Sequence, residues 1–164
     1  MIFVTAGSGP LDFSRLVGKM DEIARDLGEE VIIQKGFTQY ETHFAESFTF
    51  VPYDQALDLF KRAKVVVGHA SAGPIMHARE FDKPLIVFPR DWRRKELIDN
   101  HQIETAKAME GSSKMIEVVY HEDDLKGAVQ RAMAKAERGL SYEASNSLSF
   151  LIRHIGDFIR SIRT

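Results

Sequence analysis

A loop of small residues follows an apolar strand pattern in the middle of the chain. Val65 to Val67 is typical of a buried strand, and it leads into the segment His69-Ala70-Ser71-Ala72-Gly73-Pro74 and then a helix-like stretch. Small side chains between a strand and a helix let backbone N–H groups approach an anion, and the helix N-terminus adds a favourable partial charge. His69 could donate a hydrogen bond to the same anion. The segment therefore predicts a diphosphate site, with the alternative that His69 only caps the strand end.

A second glycine-containing loop, Gly7-Ser8-Gly9, follows the first strand pattern of the chain. It has neither the GxGxxG spacing of dinucleotide-binding folds nor the lysine of a Walker loop. Its backbone N–H groups and the Ser8 hydroxyl could contact a phosphate or an incoming acceptor. The alternative is a tight turn that only joins a strand to a helix.

The segment Asp99-Asn100-His101-Gln102 has two interpretations. Asp at a helix N-cap with Gln three residues later is a capping box, which stabilises a helix without any ligand. Capping alone does not require His101 beside Gln102, however. Asp99 or Gln102 could equally bind sugar hydroxyls, since carboxylates and amides suit vicinal diols.

A basic loop precedes this segment and holds Trp92 among the cations Arg90, Arg93, Arg94 and Lys95. Such a charge run is commonly a solvated loop. If the loop lies at the binding edge of the sheet, Arg90 could instead neutralise a diphosphate, or the loop could engage an anionic lipid carrier.

Metal and thiol chemistry are not favoured by the residue types. The chain contains no cysteine, which excludes disulfides, thiolate nucleophiles and Cys-ligated metals. His69, His77 and His101 lack the i,i+4 spacing of a helical ligand pair, and no acidic ligand is well placed beside them. We therefore expect no bound metal and no other cofactor.

Length and composition predict a single globular domain. The chain has 164 residues, of which 44% are hydrophobic and 28% charged, as in ordinary soluble proteins. The net charge of -2 gives no reason to expect a nucleic-acid partner. No apolar stretch approaches the roughly 20 residues that span a bilayer, and Met1 to Ala6 is strand-like rather than a signal peptide. We therefore expect a cytoplasmic protein.

Strand and helix patterns alternate along the chain. The predicted strands are Ile2 to Thr5, Val31 to Ile33, Phe48 to Val51, Val65 to Val67, Pro84 to Phe88 and Met115 to Tyr120. Helices are predicted between them, residues 37–46 are interpreted as a loop, and Gly28 and Gly139 as helix stops. This alternation predicts an α/β fold with one Rossmann-like parallel sheet of about six strands and helices on both faces.

Ligands of such sheets bind beyond the carboxyl ends of the strands, near the switch in strand order. That rule places residues 7–10, 51–53, 69–74 and 90–102 on one edge. We predict a binding domain over residues 1–138 and an amphipathic C-terminal helix over residues 141–164. The helix either packs on the domain's own sheet or docks a partner.

At these residues the sequence resembles the C-terminal, donor-binding domain of glycosyltransferase family 28, which forms half of the GT-B fold. The matching segments lie within residues 1 to about 110 and read, in order, Phe3-Val-Thr-Ala-Gly7, Val66-Val-Gly-His-Ala-Ser-Ala-Gly73, Lys83-Pro-Leu-Ile-Val87 and Asp99-Asn-His-Gln102. In length and in its Phe88-Pro-Arg90 segment the chain is similar to stand-alone donor subunits. Such subunits occur in the two-component N-acetylglucosaminyltransferase that makes the chitobiosyl lipid and in bacterial exopolysaccharide glycosyltransferases.

The resemblance implies a UDP-sugar donor and inverting transfer that requires no metal. A separate membrane-anchored subunit would bind the lipid-linked acceptor. This chain would then be inactive alone and would reach the membrane only through that partner. The general base is expected on the partner.

The resemblance also implies roles for particular residues. Residues 7–9 and 69–74 would lie near the diphosphate, with His69 stabilising the leaving group, Val51 near the base, and residues 99–102 near the sugar. The family often has a glutamate seven residues before Pro84 to bind the ribose hydroxyls. In this chain that position is His77.

Two other classes of protein stay open. A nucleotide-sugar-binding module without catalysis, retained for regulation or assembly, is slightly favoured by His77 in place of the acid. A UDP-sugar epimerase or hydrolase shares the fold, but it needs a second domain or a buried acid/base set that the sequence does not show. Homodimer formation is left open.

Overall fold

A computed structural model describes residues 1–142 as alternating strands and helices. The strands are β1 (Ile2–Thr5), β2 (Val31–Gln34), β3 (Glu46–Phe48), β4 (Val65–Gly68), β5 (Leu85–Val87) and β6 (Ile116–Val118). The helices are α1 (Ser14–Leu27), α2 (Tyr53–Arg62), α3 (Ala72–Glu80), α4 (His101–Met109) and α5 (Leu125–Glu137). Short 3-10 turns at Trp92–Arg94 and Glu122–Asp124 complete the elements.

The six strands form one parallel sheet in the order β3-β2-β1-β4-β5-β6. The chain builds outwards from β1 to β3, returns to β4 beside β1, and then builds outwards in the other direction. The strand order therefore switches between β1 and β4, which is where ligands of open parallel sheets bind. The predicted fold class is confirmed.

Alternating side chains of the strands build two separate cores, one on each face of the sheet. On β1, Ile2 and Val4 pack in the core that α1 and α5 cover, whereas Phe3 packs in the opposite core with Phe60 of α2. The Phe3 and Phe60 rings meet edge to face with centroids 4.9 Å apart. Strands buried on both faces explain the continuous apolar runs seen in the sequence.

Several predicted element boundaries differ from the structure: the fifth and sixth strands are shorter than predicted, at Leu85–Val87 and Ile116–Val118. Two further differences have an identifiable cause. The third strand was predicted at Phe48 to Val51, but pairing with β2 covers Glu46–Phe48. Asp21 of α1 explains the earlier start, because its buried carboxylate accepts hydrogen bonds from the backbone N–H groups of His43, Phe44 and Ala45. These bonds fix the loop directly before Glu46, so the loop prediction for residues 37–46 is right up to Ala45.

Asp99 was predicted as the N-cap of the fourth helix, but that helix begins at His101 and its N-cap is Asn100. Asp99 still accepts from the His101 backbone N–H at 3.1 Å, but Gln102 points elsewhere and no capping box forms. The other helix ends agree with prediction: Gly28 and Gly139 both adopt left-handed conformations, at φ 62° and 63°.

The described chain ends on the edge of the sheet opposite the carboxyl ends of the strands. The Tyr142 backbone N–H donates to Asp82 at 2.8 Å, and its hydroxyl donates to the Lys83 carbonyl at 3.1 Å, just before β5 begins. The predicted C-terminal helix over residues 141–164 lies almost wholly outside the described residues, so the domain division stays a prediction. Within residues 1–142, no helix has both the length and the apolar character needed to cross a membrane.

Candidate functional site

A cleft of about 400 Å³ opens at the carboxyl ends of β1, β2 and β4, beside the switch in strand order. We call it the switch-point cleft. It is lined by Thr5, Gly7, Ser8, Gln34, Val51, Tyr53, Ala56, Phe60, His69, Ser71, Gly73, Pro74 and His77. Eight of these were predicted from the sequence as site residues, and they come from three separate segments that the fold brings together: Gly7 and Ser8, Val51, and the stretch from His69 to His77.

The Gly7 loop forms one wall of the switch-point cleft. Gly7 adopts φ 84°, and a Cβ added there would lie 2.6 Å from Cε1 of the His69 ring. On its other side, Gly36 (φ 57°) packs so closely that a Cβ there would collide with the Gly7 carbonyl oxygen. Glycine is therefore needed at both positions, because the backbone at residues 7 and 36 and the His69 ring approach one another closely here.

The N-terminus of α3 forms the opposite wall. Ser71 is the N-cap, with extended backbone (φ -139°, ψ 166°), but its side chain does not accept a hydrogen bond from the helix. The first N–H groups of a helix have no partner within it, so those of Ala72 and Gly73 are left for other acceptors. Pro74 in this first turn packs tightly on Gly68, where an added Cβ would lie 2.7 Å from the Pro74 Cβ. The small residues predicted here thus expose a helix N-terminus beside the cleft.

His69 lies between these two walls and has a partner at each ring nitrogen. Nδ1 is 3.4 Å from the Thr5 carbonyl oxygen, and Nε2 is 2.7 Å from the Ser71 hydroxyl. Because a carbonyl only accepts, the hydrogen of the neutral ring belongs on Nδ1 and Nε2 accepts from Ser71. Burial lowers the pKa of His69 to about 4. The neutral ring in this tautomer does not donate into the cleft, which corrects the expectation that His69 itself donates to an oxyanion.

His77 lines the far end of the switch-point cleft, on an aromatic wall. Its Nδ1 is 3.1 Å from a Glu80 carboxylate oxygen and its Nε2 is 3.5 Å from the Tyr53 hydroxyl. The rings of Phe60 and Phe81 lie close to the His77 ring, with centroids 5.0 and 6.2 Å away. Glu80 thus holds the hydrogen of His77 on Nδ1, which leaves Nε2 as an acceptor on the cleft side.

Arg90 does not line the cleft, and the predicted contact with a diphosphate is wrong for the conformation of this structure. The residue is 3% exposed. Its guanidinium donates to four backbone carbonyls, those of Ala6, Leu11, Asp12 and Glu96, at 2.9 to 3.2 Å. Arg90 therefore holds the base of the Gly7 loop from behind and offers no cation to the cleft.

Gln102 is also buried, at 4% exposed, and its Oε1 accepts from the Arg90 backbone N–H at 3.0 Å. This corrects the expectation that the Gln102 side chain either completes a capping box or faces a sugar. It instead links α4 to the segment after β5.

Asp99, Asn100 and His101 are exposed residues outside the lining of the switch-point cleft. Asp99 accepts from both the backbone N–H and the ring Nδ1 of His101, and these hydrogen bonds lower the pKa of Asp99. Of the remaining predicted residues, Gly9, Ala70 and Ala72 adjoin the cleft walls without lining them, and Ala70 is buried in the core.

A second, larger groove of about 790 Å³ lies beside β5 and β6. We call it the basic groove; it is lined by Arg15, Pro89, Asp91, Trp92, Arg93, Arg94, Asn100, Ile103, Lys107, Tyr120 and His121. Several of its cations are already paired: Arg93 with Asp91 at 2.8 Å, and Arg94 with Glu122 at 3.6 Å. Arg15 is paired with Glu96 at 2.8 Å, and both side chains are only 8% exposed. Size alone favours the basic groove, but the glycine loop and the open helix N-terminus favour the switch-point cleft.

Four lining residues were missed from the sequence, namely Thr5, Gln34, Ala56 and Phe60, whereas Tyr53 lies in the range 51–53 that was predicted for the binding edge. Thr5 and Gln34 are the last residues of β1 and β2 and hydrogen-bond to each other at 3.0 Å. Their position at the carboxyl ends of adjacent parallel strands was a usable signal. In the part of the chain that the structure describes, no cluster of three or more His, Asp or Glu side chains could hold a metal.

Comparison with known proteins identifies the family of the chain. The family model described as the glycosyltransferase family 28 C-terminal domain matches residues 1–155. The human protein named UDP-N-acetylglucosamine transferase subunit ALG13 is 32% identical over 117 residues, which is 66% of this chain and 10% of the human protein. The chain thus spans about a tenth of that relative's length.

Two solved structures share the fold. The glycotransferase of kitacinnamycin aligns with a TM-score of 0.63 and 20% identity, over 84% of this chain and 36% of that one. The UDP-GlcNAc 2-epimerase of Methanocaldococcus jannaschii, solved in complex with UDP-GlcNAc and UDP, aligns with a TM-score of 0.60 and 16% identity, over 98% of this chain and 45% of that one. At these identities the likeness extends to the fold alone. On the strength of the family match, the chain belongs to the glycosyltransferase family 28 C-terminal domain family.

Proposed function

We propose that this chain binds a UDP-sugar in the switch-point cleft and is the donor-binding subunit of an inverting glycosyltransferase. The observation that carries the proposal is the coincidence of a family 28 C-terminal match with an open α3 N-terminus facing the Gly7 loop. Unpartnered N–H groups at a helix start bind phosphate oxygens and stabilise the charge that develops on a departing diphosphate.

The shape of the cleft supports one orientation of the donor. The diphosphate would lie between Gly7 and the start of α3, at Ser71 and Gly73. The nucleoside would extend along α3 toward Val51 and His77, where the wall is apolar and aromatic. His77 lies about one and a half helical turns from the N-terminus of α3, roughly 7 Å along its axis. The sugar would then lie nearer the 99–101 segment.

The acceptor half of the reaction is proposed to come from another protein. The solved relatives contain more than half of their length outside the matched region, and the human relative is named as a subunit. We propose a membrane-anchored partner that binds a lipid-linked acceptor and carries the general base. The chain would then be cytoplasmic and reach the membrane through that partner, with the C-terminal residues 141–164 as the docking segment.

Titration of the purified chain with UDP, GDP and ADP tests the donor proposal. Saturable binding of UDP, with GDP and ADP weaker, is expected, together with little or no transfer by the chain alone. Equal affinity for all three nucleotides, or none for UDP, would contradict the donor assignment. Efficient transfer by the chain alone to a defined lipid acceptor would contradict the subunit assignment.

A non-catalytic nucleotide-sugar-binding module is the second candidate. The engagement of His69 with Thr5 and Ser71 favours it, because this histidine does not point a donor into the cleft of the described structure. Co-purification with a membrane-anchored partner, followed by transfer of a radiolabelled sugar, separates the two. A stable complex without transfer would support the second candidate.

A further inference from the structure

The hydroxyl of Ser71 makes an unusual hydrogen bond for a residue at a helix N-cap. An N-cap serine ordinarily accepts a hydrogen bond from its own helix, but the Ser71 side chain makes no cap bond and instead lies 2.7 Å from Nε2 of His69. Because Nδ1 of His69 carries the ring hydrogen toward the Thr5 carbonyl, Ser71 must donate to Nε2. The Ser71 oxygen therefore presents only lone pairs to the cleft.

That arrangement conflicts with an anion beside α3. The oxygen of a phosphate placed against the Ala72 and Gly73 N–H groups would meet the lone pairs of Ser71, and two acceptors with no hydrogen between them repel. Rotation of the hydroxyl toward the anion would remove the conflict, but it would leave Nε2 of the half-buried His69 ring without its donor. Loss of that hydrogen bond opposes binding of the anion.

We infer that binding of a diphosphate in the switch-point cleft is coupled to uptake of one proton by His69, with Ser71 as the relay. A proton from solvent binds Nε2, and the ring then donates from Nδ1 to Thr5 and from Nε2 to the Ser71 oxygen. The hydroxyl hydrogen of Ser71 is released from His69 and donates to a phosphate oxygen. His69 is thus a positioning residue that acts through Ser71, and the positive charge stays on the imidazole, one hydrogen bond behind the anion. The inference rests on the proposed function.

The surroundings of His69 keep its ring neutral until an anion binds in the cleft. Burial is the main cause of the lowered pKa of His69, and Arg90, from the segment after β5, and His101, at the start of α4, lower it further. From α3, His77 lines the same cleft, and the Gly7 loop contributes no titratable side chain toward it. The ring of the free protein is therefore neutral near neutral pH. Glu80 pairs with His77, Asp99 with His101, and Glu96 lies near Arg90, but no carboxylate lines the cleft itself. A bound diphosphate therefore supplies the anionic charge inside the cleft, which makes the proton uptake dependent on the ligand.

Calorimetric titration near pH 6, in two buffers of different ionisation enthalpy, measures the number of protons taken up. The probe is UDP-glucose or UDP-N-acetylglucosamine, because the diphosphate of a nucleotide-sugar is fully ionised here and does not titrate, whereas the terminal phosphate of UDP does. We expect uptake of a large fraction of one proton by the unaltered chain, and an affinity that falls as the pH rises from about 5.5 to 7.5.

Ser71→Ala removes the relay, and Ser71→Thr keeps the hydroxyl at the same place. Ser71→Ala should bind with proton uptake close to zero and an affinity that no longer depends on pH, and Ser71→Thr should restore both. Circular dichroism confirms that each variant folds. Binding by the unaltered chain without proton uptake, or uptake that survives in Ser71→Ala, would overturn the inference while leaving the proposed function standing. Failure to bind any UDP-sugar, with UDP also excluded, would contradict the proposed function and the inference together.

Discussion

The switch-point cleft and the basic groove lie on the same edge of the sheet, yet they are built in opposite ways. The basic groove is larger and carries most of the charge, but its arginines pair with Asp91, Glu96 and Glu122. The switch-point cleft contains no arginine or lysine. It offers backbone N–H groups, two histidines and an aromatic wall. In the described residues, side-chain charge at this edge mainly ties loops together, whereas the anion site that we propose is built from the backbone at the start of α3.

Arg90 is the clearest case of a charge used for structure, and removing it should have the largest effect. Arg90→Ala leaves four backbone carbonyls without their donor, two of them in buried hydrogen bonds, and we expect a loss of unfolding free energy of about 3 to 5 kcal/mol. Chemical denaturation monitored by circular dichroism measures it. Arg93→Ala, in the same loop but exposed, is the matched control and should change stability by less than about 1 kcal/mol. If Arg90→Ala lost less than about 1 kcal/mol of unfolding free energy but no longer bound UDP, Arg90 would be a ligand-binding residue rather than a structural one.

The pH dependence of stability should show the second largest effect, and it comes from His69. The pKa of His69 is lowered from 6.5 to about 4 in the folded chain, mainly by burial. Below about pH 6.5 the unfolded chain therefore binds a proton that the folded chain does not, so stability falls as the pH falls from about 6.5 to 4. The contribution is at most about 3 kcal/mol.

Denaturation of the unaltered chain and of His69→Gln across this pH range isolates that contribution. The difference in unfolding free energy between them should change by about 2 to 3 kcal/mol between pH 6.5 and 4. Parallel pH profiles would show that His69 titrates normally. Saturating UDP-sugar should weaken the acid sensitivity of the unaltered chain, because the bound state holds the proton.

The basic groove should show the smallest effect on donor binding. Arg93→Ala and Arg94→Ala together remove two exposed cations that are already paired with Asp91 and Glu122. We expect the affinity for UDP to change by less than about threefold and stability by less than about 1 kcal/mol. A tenfold loss of UDP affinity, measured by calorimetry, would move the donor site toward this groove.

The sequence predicted the sheet and much of the cleft for a clear reason. Apolar runs such as Val65 to Val67 report burial on both faces, and small residues after a strand report close backbone approach, so both signals are local. The roles of Arg90 and Gln102 were mispredicted because they depend on which loop packs behind which strand end. The sequence of residues 90–102 gives no sign that the Arg90 side chain donates to the carbonyls of residues 6, 11 and 12. The start of β3 was missed for the same reason, since it is fixed by Asp21, more than 20 residues away.

The Ser71–His69 pair lay within reach of sequence reasoning, because the two residues are only two positions apart. Which of the two residues donates the hydrogen bond could not be predicted, since that depends on the Thr5 carbonyl at the end of another strand. Local spacing thus identified the residues, and the parallel sheet decided which nitrogen carries the hydrogen.

The central claim, that the N-terminus of α3 holds the diphosphate, is tested most directly at Gly73. A Cβ there has no atom within 4 Å, so Gly73→Asp and its neutral, isosteric control Gly73→Asn should both fold. Gly73→Asp places a carboxylate beside the proposed phosphates and should weaken UDP-sugar binding at least about tenfold relative to Gly73→Asn in calorimetric titrations at low salt. Equal UDP-sugar affinity of the two variants, with both folded, would contradict the account.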